Sequence, residues 1–148
     1  MTESDRTHQQ VEADRKAHIL LVEDDKALRR YLEVTLGRAG YEVLSAGDGL
    51  EAMKTALSTQ VDLVITDAMM PNLSGHELCR FLRNSPQLSH IPIVLLSGME
   101  GTDAGSDAGL ADAFLAKPVA TEKLTECIAG LLRKSQDSRL KSHNPSPR

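Results

Sequence analysis

Four short apolar runs in this chain end in side chains that can do chemistry. The run Val61-Asp62-Leu63-Val64-Ile65-Thr66 closes on Asp67 and then breaks into the Pro71, Asn72 and Gly75 loop. His18-Ile19-Leu20-Leu21-Val22 closes on Glu23-Asp24-Asp25. Ile91-Pro92-Ile93-Val94-Leu95-Leu96 closes on Ser97, and Ala113-Phe114-Leu115-Ala116 on Lys117-Pro118. If all four are parallel strands, their last residues meet at the carboxyl edge of an open α/β sheet, where such sheets place ligand chemistry. A lone Asp there would be no more than the polar end of a strand. Carboxylates, a hydroxyl and an ammonium together would bind a divalent metal and a phosphoryl group.

The elements that must carry these residues follow from periodicity. The first strand is apolar at every position from Ile19 to Val22, as a strand covered on both faces requires. Leu28, Tyr31, Leu32, Thr35, Leu36 and Ala39 recur at helical spacing, and Gly40 stops that helix. A strand from Tyr41 to Ala46 follows. Asp48 with Glu51 has the form of a capping box, opening a helix from Gly49 to Leu57 whose expected inner face is Leu50, Met53 and Leu57. Ser74 with Glu77 repeats the pattern before a helix of about Gly75 to Arg83, with Leu78, Phe81 and Leu82 inward. Residues 98–112 are glycine-rich, so a helix there is expected to be short or labile. Thr121 can cap a final helix, Glu122 to Arg133, with Leu124, Ile128 and Leu131 or Leu132 inward. Five β-α units with short connections imply a parallel sheet with helices on both faces, and right-handed crossovers make it doubly wound.

The chain has 148 residues, enough for one domain, expected over 17–134. The polar ends, 1–16 and 135–148, read as a disordered extension and a flexible tail. A net charge of −4 argues against a nucleic-acid footprint, which needs a basic face. No apolar run reaches the ~18 residues needed to span a bilayer, and the first residues carry no apolar signal core, so the expected setting is cytoplasmic with no membrane partner. Cys79 and Cys127 sit in helical patterns and read as reduced thiols. His8, His18, His76, His90 and His143 make no metal-ligand spacing and read as incidental.

The motifs Leu21-Val22-Glu23-Asp24-Asp25, Asp67 to Gly75, Ser97-Gly98 and Phe114-Leu115-Ala116-Lys117-Pro118 together resemble the response-regulator receiver domains of two-component signalling, of the single-domain chemotaxis type. The resemblance covers about His18 to Leu132. It implies a flavodoxin-like (βα)5 fold, an α/β doubly wound five-stranded parallel sheet with strand order 2-1-3-4-5. It also implies that Asp67 is the phosphoacceptor, a carboxylate nucleophile that holds the group as an aspartyl phosphate. Mg²⁺ is the expected cofactor, held by Asp24, Asp67, Glu23 through water, and the backbone carbonyl of Met69. Glu23 is longer than the Asp more usual in the family. Asp25 is expected to open the first helix instead. Lys117 would pair with a phosphoryl oxygen, and the Pro118 peptide would be cis. Ser97 and Phe114 match the family's switch pair, reshaping the face formed by the fourth helix, fifth strand and fifth helix. A permanently buried core Phe is the plainer reading of Phe114. Met69 and Met99, two residues after Asp67 and Ser97, would screen the acyl phosphate from water.

The resemblance implies a signalling switch that takes its phosphoryl group from a histidine kinase or histidine phosphotransfer protein and then changes affinity for a downstream protein. Its only activity would be Mg²⁺-dependent self-phosphorylation and self-dephosphorylation, and no output domain is expected after Arg133. One alternative is an aspartate-nucleophile phosphohydrolase, but such enzymes favour a second acid two residues after the nucleophile, where Met69 stands. Another is a pseudo-receiver interaction module, against which Asp24, Asp67, Ser97 and Lys117 all speak.

Overall fold

The computed structural model describes residues 16–70, 72–98 and 110–143, with side chains as far as residue 136. Five strands form one sheet: β1 (His18–Val22), β2 (Glu42–Ala46), β3 (Leu63–Asp67), β4 (Ile93–Ser97) and β5 (Ala113–Ala116). Every neighbouring pair is parallel and the order is β2-β1-β3-β4-β5, as the resemblance implies. The helices are α1 (Lys26–Arg38), α2 (Gly49–Ser58), α3 (Gly75–Asn84) and a C-terminal helix (Thr121–His143).

Because successive side chains of a strand point to opposite faces, the sheet builds two cores. Leu20, Val22, Val64 and Ile93 pack under α2 and α3. Ile19, Leu21, Ile65 and Leu96 pack under α1 and the C-terminal helix, against Leu32, Leu36, Leu124 and Ile128. The central strand β3 is buried at every position.

The helix ends are set by local chemistry. Asp25 caps α1, its carboxylate accepting from the amides of Ala27 and Leu28. At the other end Gly40 takes φ 101°, and the amides of Gly40 and Tyr41 reach back to the carbonyls of Gly37 and Leu36, closing a Schellman motif that L side chains resist. Ser74 and Glu77 form the reciprocal capping box. The box expected at α2 is only half made: Asp48 accepts from the amide of Glu51, but the Glu51 side chain accepts from Gly47, one residue too early for the reciprocal bond.

Two helices differ from the expected pattern. In α2 the inner face is Gly49, Ala52 and Ala56 with Met53 half-buried, whereas Leu50 and Leu57 are more than half exposed. Both stripes have helical spacing. Small residues let α2 come close enough for Leu73 to pack on Gly49, where a Cβ would meet the Leu73 side chain at 2.5 Å. The C-terminal helix continues to His143, where a loose tail was expected from Ser135. Its first turn starts at Thr121 itself, the Ala120 carbonyl accepting from Leu124. Tyr31, expected inward, is half exposed, and its hydroxyl meets that of Thr121 at 2.8 Å.

Arg83 ties the opposite, amino-terminal edge of the sheet together. Its guanidinium donates to the carbonyls of Ile91 (2.7 Å), Ser89 (2.9 Å) and Leu110 (2.9 Å) and pairs with Asp112 at 2.7 Å. Asp112 in turn accepts from the amide of Ile93, so one residue of α3 fixes the starts of both β4 and β5. Residues 99–109, including Met99 and most of the glycine-rich segment, lie outside the described residues, as do the N-terminal extension through residue 15 and residues 144–148.

Candidate functional site

The register of the sheet brings the ends of β1, β3 and β5 to one edge. Val22 is paired with Thr66, so Glu23 and Asp67 follow side by side. Asp67 is paired with Leu96, and Ser97 with Ala116, so Lys117 emerges one residue further along the same edge. Carboxylate oxygens of Glu23, Asp24 and Asp67 lie within 4.8 Å of one another. Glu23 is fully buried and Asp67 nearly so, while Asp24 is exposed.

Like charges this close repel unless a cation stands among them. Lys117 supplies one: its Nζ is 2.9 Å from Asp67 Oδ2 and 3.2 Å from Glu23 Oε1. The remaining oxygens are fixed by backbone. Asp67 Oδ1 accepts from the amide of Met69 at 3.1 Å, and Glu23 Oε2 accepts from the amide of Asp25 at 3.1 Å. The Lys117-Pro118 peptide is cis. Three convergent carboxylates, one open to solvent, fit a hard divalent cation that takes oxygen ligands.

Burial pushes the Glu23 carboxyl above its ordinary 4.5, and the negative charge of Asp67 adds to this, against the Asp25 amide and Lys117. Burial pulls Lys117 down, but the hydrogen bond to Asp67 and the charges of Glu23 and Asp67 outweigh it, leaving the ammonium above 10.5. Both shifts make stability fall as pH rises, in separate windows. Just above pH 4.5 the folded protein holds a proton on Glu23 that the unfolded chain has lost, so this group's contribution to stability falls as pH rises through its raised pKa. The contribution of Lys117 is complete below pH 10.5 and is lost only above its own raised pKa. In chelator-treated buffer, Glu23→Gln is therefore expected to flatten the decline of the urea midpoint as pH rises above 4.5; a slope equal to that of the unmodified protein would refute it.

Ser97 ends β4 half-buried, its carbonyl accepting from the Lys117 amide. Phe114 is 41% exposed, which rules out the reading of it as a buried core residue. Met69 is 63% exposed beside Asp67. Sequence reasoning missed the hollow next to the acids, a cavity of about 500 Å³ lined by Leu28, Tyr31, Gly98, Lys117, Pro118 and Val119. It also missed Arg29, whose guanidinium holds the Glu23 carbonyl at 2.8 Å. Nothing in the sequence separates Arg29 from an ordinary solvated helix charge.

A doubly wound parallel sheet that gathers three acids and a lysine at its carboxyl edge is the architecture of a phosphosignal receiver. Comparison with known proteins gives the family: the sequence pattern described as response regulator receiver domain matches residues 19–129. The chain belongs to that family, the receiver domains of two-component signalling. It is 40% identical over 121 residues to the response regulator MprA of Mycobacterium leprae (strain TN), covering 80% of this chain and 52% of that protein. The chain thus spans about half the length of the curated relatives it matches. Among solved structures, a putative response regulator from Chloroflexus aurantiacus superposes with a TM-score of 0.75 at 32% identity, covering 80% of this chain and 99% of that one. TrrA of Thermotoga maritima, solved in complex with Mg²⁺ and BeF, gives 0.72 at 31% identity, covering 78% and 98%. No helix among the described residues is long and apolar enough to cross a membrane.

Proposed function

We propose that this chain is a phosphoacceptor switch working in the cytoplasm, taking a phosphoryl group onto Asp67 from a phosphohistidine donor, a histidine kinase or a histidine phosphotransfer protein. The observation that carries the reading is the placement of the Asp67 carboxylate at a strand end, nearly buried, with Lys117 Nζ at 2.9 Å and two further acids beside it. An Asp67 oxygen attacks phosphorus and forms a P–O bond as the donor's P–N bond breaks, the electron pair leaving with the imidazole nitrogen. Lys117, already on Asp67 Oδ2, is placed to follow the charge onto the phosphoryl oxygens. Glu23, Asp24, Asp67 and the backbone carbonyl of Met69 would hold Mg²⁺, which when bound offsets the charge of the acids and of the phosphoryl group. Ser97 and Phe114 form the switch, Ser97 donating to the new phosphoryl oxygens and the exposed Phe114 ring moving inward into the space Ser97 vacates, which reshapes the face that binds a downstream protein. The donor reaches Asp67 across the rim formed by Leu28, Tyr31, Pro118 and Val119, whose apolar hollow suits a protein surface.

Incubation with acetyl phosphate and Mg²⁺ tests this reading. Intact mass is expected to rise by one phosphoryl group, with beryllofluoride producing amide shifts that extend from Asp67 to Phe114. Continuous release of free phosphate would favour a phosphohydrolase. An unchanged mass and spectrum would leave an interaction module that has lost the chemistry.

A further inference from the structure

Glu23 is gripped at each of its polar atoms. Its amide donates to the Ala46 carbonyl at 3.1 Å, and its two carboxylate oxygens go to the Asp25 amide and to Lys117. Its carbonyl accepts from Arg29 Nη1 at 2.8 Å. Arg29 sits in the first turn of α1, where its own amide donates to the Asp25 carbonyl, so its Cα is fixed relative to the acidic turn it reaches back to. The guanidinium lies where residue 47 has no side chain: a Cβ at Gly47 would stand 3.1 Å from the same Nη1.

The geometry matters because the Glu23 carbonyl lies in the peptide plane that joins Glu23 to Asp24. Holding that oxygen fixes the plane, and the plane sets the direction in which the Asp24 side chain leaves the backbone. A guanidinium donating to a carbonyl is a charge-assisted bond, stronger than the neutral bond from the Glu23 amide to Ala46. We infer that Arg29 is a positioning residue, a clamp seated on Gly47 that orients Glu23 and Asp24 toward Asp67. The inference rests on the reading of these three acids as a cation pocket.

Its consequence runs against simple electrostatics. Removing a positive charge from the neighbourhood of three acids should tighten cation binding. Removing a clamp should weaken it, as loss of the groups that orient metal ligands does. Mn²⁺ binding followed by electron paramagnetic resonance on the whole chain reads the sign. Arg29→Ala is expected to raise the Mn²⁺ dissociation constant about tenfold, and to move the amide resonances of Asp24 and Asp25 in cation-free protein. Gly47→Ala keeps the charge and crowds the guanidinium, whose Nη1 a Cβ would approach to 3.1 Å, so it is expected to weaken binding in the same direction but less. In the double variant Gly47→Ala should add little to Arg29→Ala, since both act through one contact. Arg29→Lys, which keeps the charge but not the fork, should recover only part of the affinity. Equal or tighter binding by Arg29→Ala, or full additivity of the two changes, would overturn the clamp. Should the unmodified protein bind no Mn²⁺ and form no acetyl-phosphate adduct, the pocket reading fails instead. The Asp24 and Asp25 amides of cation-free Arg29→Ala and Gly47→Ala then decide the clamp alone: displaced in both, it stands; unmoved, it falls.

Discussion

Asp67→Asn is expected to gain no mass with acetyl phosphate and Mg²⁺, a loss of at least about a thousandfold in phosphorylation, while its urea midpoint stays level or rises. The carboxamide is nearly isosteric, and its oxygen can still accept from the Met69 amide that now binds Asp67 Oδ1. What it lacks is the anionic oxygen that must attack phosphorus. The change gives up the 2.9 Å contact of Lys117 with Oδ2, but it also removes one of three crowded negative charges, which offsets that loss, and Lys117 keeps its contact with Glu23 at 3.2 Å. A chemical loss with an intact fold separates the nucleophile from the scaffold. Intact mass and denaturation on the same sample check both halves, and a phosphoryl adduct on the Asn variant would show that another residue accepts the group.

Gly75→Val is expected to destabilise the chain by about 3 kcal/mol or more and to lose labelling at Asp67 together with stability. At Gly75 the amide donates to the Ala68 carbonyl at 3.0 Å, and α3 starts directly against the end of β3. A Cβ there would overlap the Asp67 carbonyl oxygen and approach the Ala68 Cα to 2.9 Å. These are backbone atoms and cannot swing away as a side-chain end can. Either α3 moves out, uncovering Leu78 and Leu82, or the strand end shifts and takes the phosphoacceptor with it. Urea unfolding measures the first result and acetyl-phosphate labelling at a fixed folded fraction the second. An Ala or Val variant within 1 kcal/mol of the parent would refute so close a contact.

The contrast between these two positions marks what the sequence discloses. Asp67, Glu23, Asp24 and Lys117 were legible because each follows a short apolar run, and parallel pairing carries strand ends to a common edge without detailed packing. Asp25, Ser74 and Gly40 were legible because caps are local: donor, acceptor and turn lie within a few residues. The orientation of α2 was not. Leu50, Met53 and Leu57 make as good a stripe as Gly49, Ala52 and Ala56, and the choice between them depends on how near the helix comes to Leu73 and the sheet, a long-range fact. Burial by hydrophobicity alone picks the larger residues, which holds for Met53 and fails for Leu50 and Leu57.

The same reasoning explains the other departures. Residues 135–143 carry no apolar stripe, so periodicity has nothing to register there, yet the chain continues the helix that Leu124 and Ile128 anchor. Arg29 and Arg83 each look like one more surface cation in their helices. Their roles come from carbonyl oxygens outside their own helices, that of Glu23 for Arg29 and those of Ile91 and Leu110 for Arg83. A side chain that satisfies backbone outside its own element leaves no periodic spacing to read.

The anchoring of Ile91, Leu110 and Asp112 by Arg83 has a further meaning for how such a chain can diversify. Of the two ends of the interval between β4 and β5, the one that enters β5 is moored to α3 at the edge remote from Asp67, while the other leaves from Ser97 beside the acids. A change of sequence ahead of Leu110 therefore meets a fixed anchor before it reaches β5 and the lysine at that strand's other end. That entry to β5 can vary in sequence upstream while the ammonium stays where the acids require it.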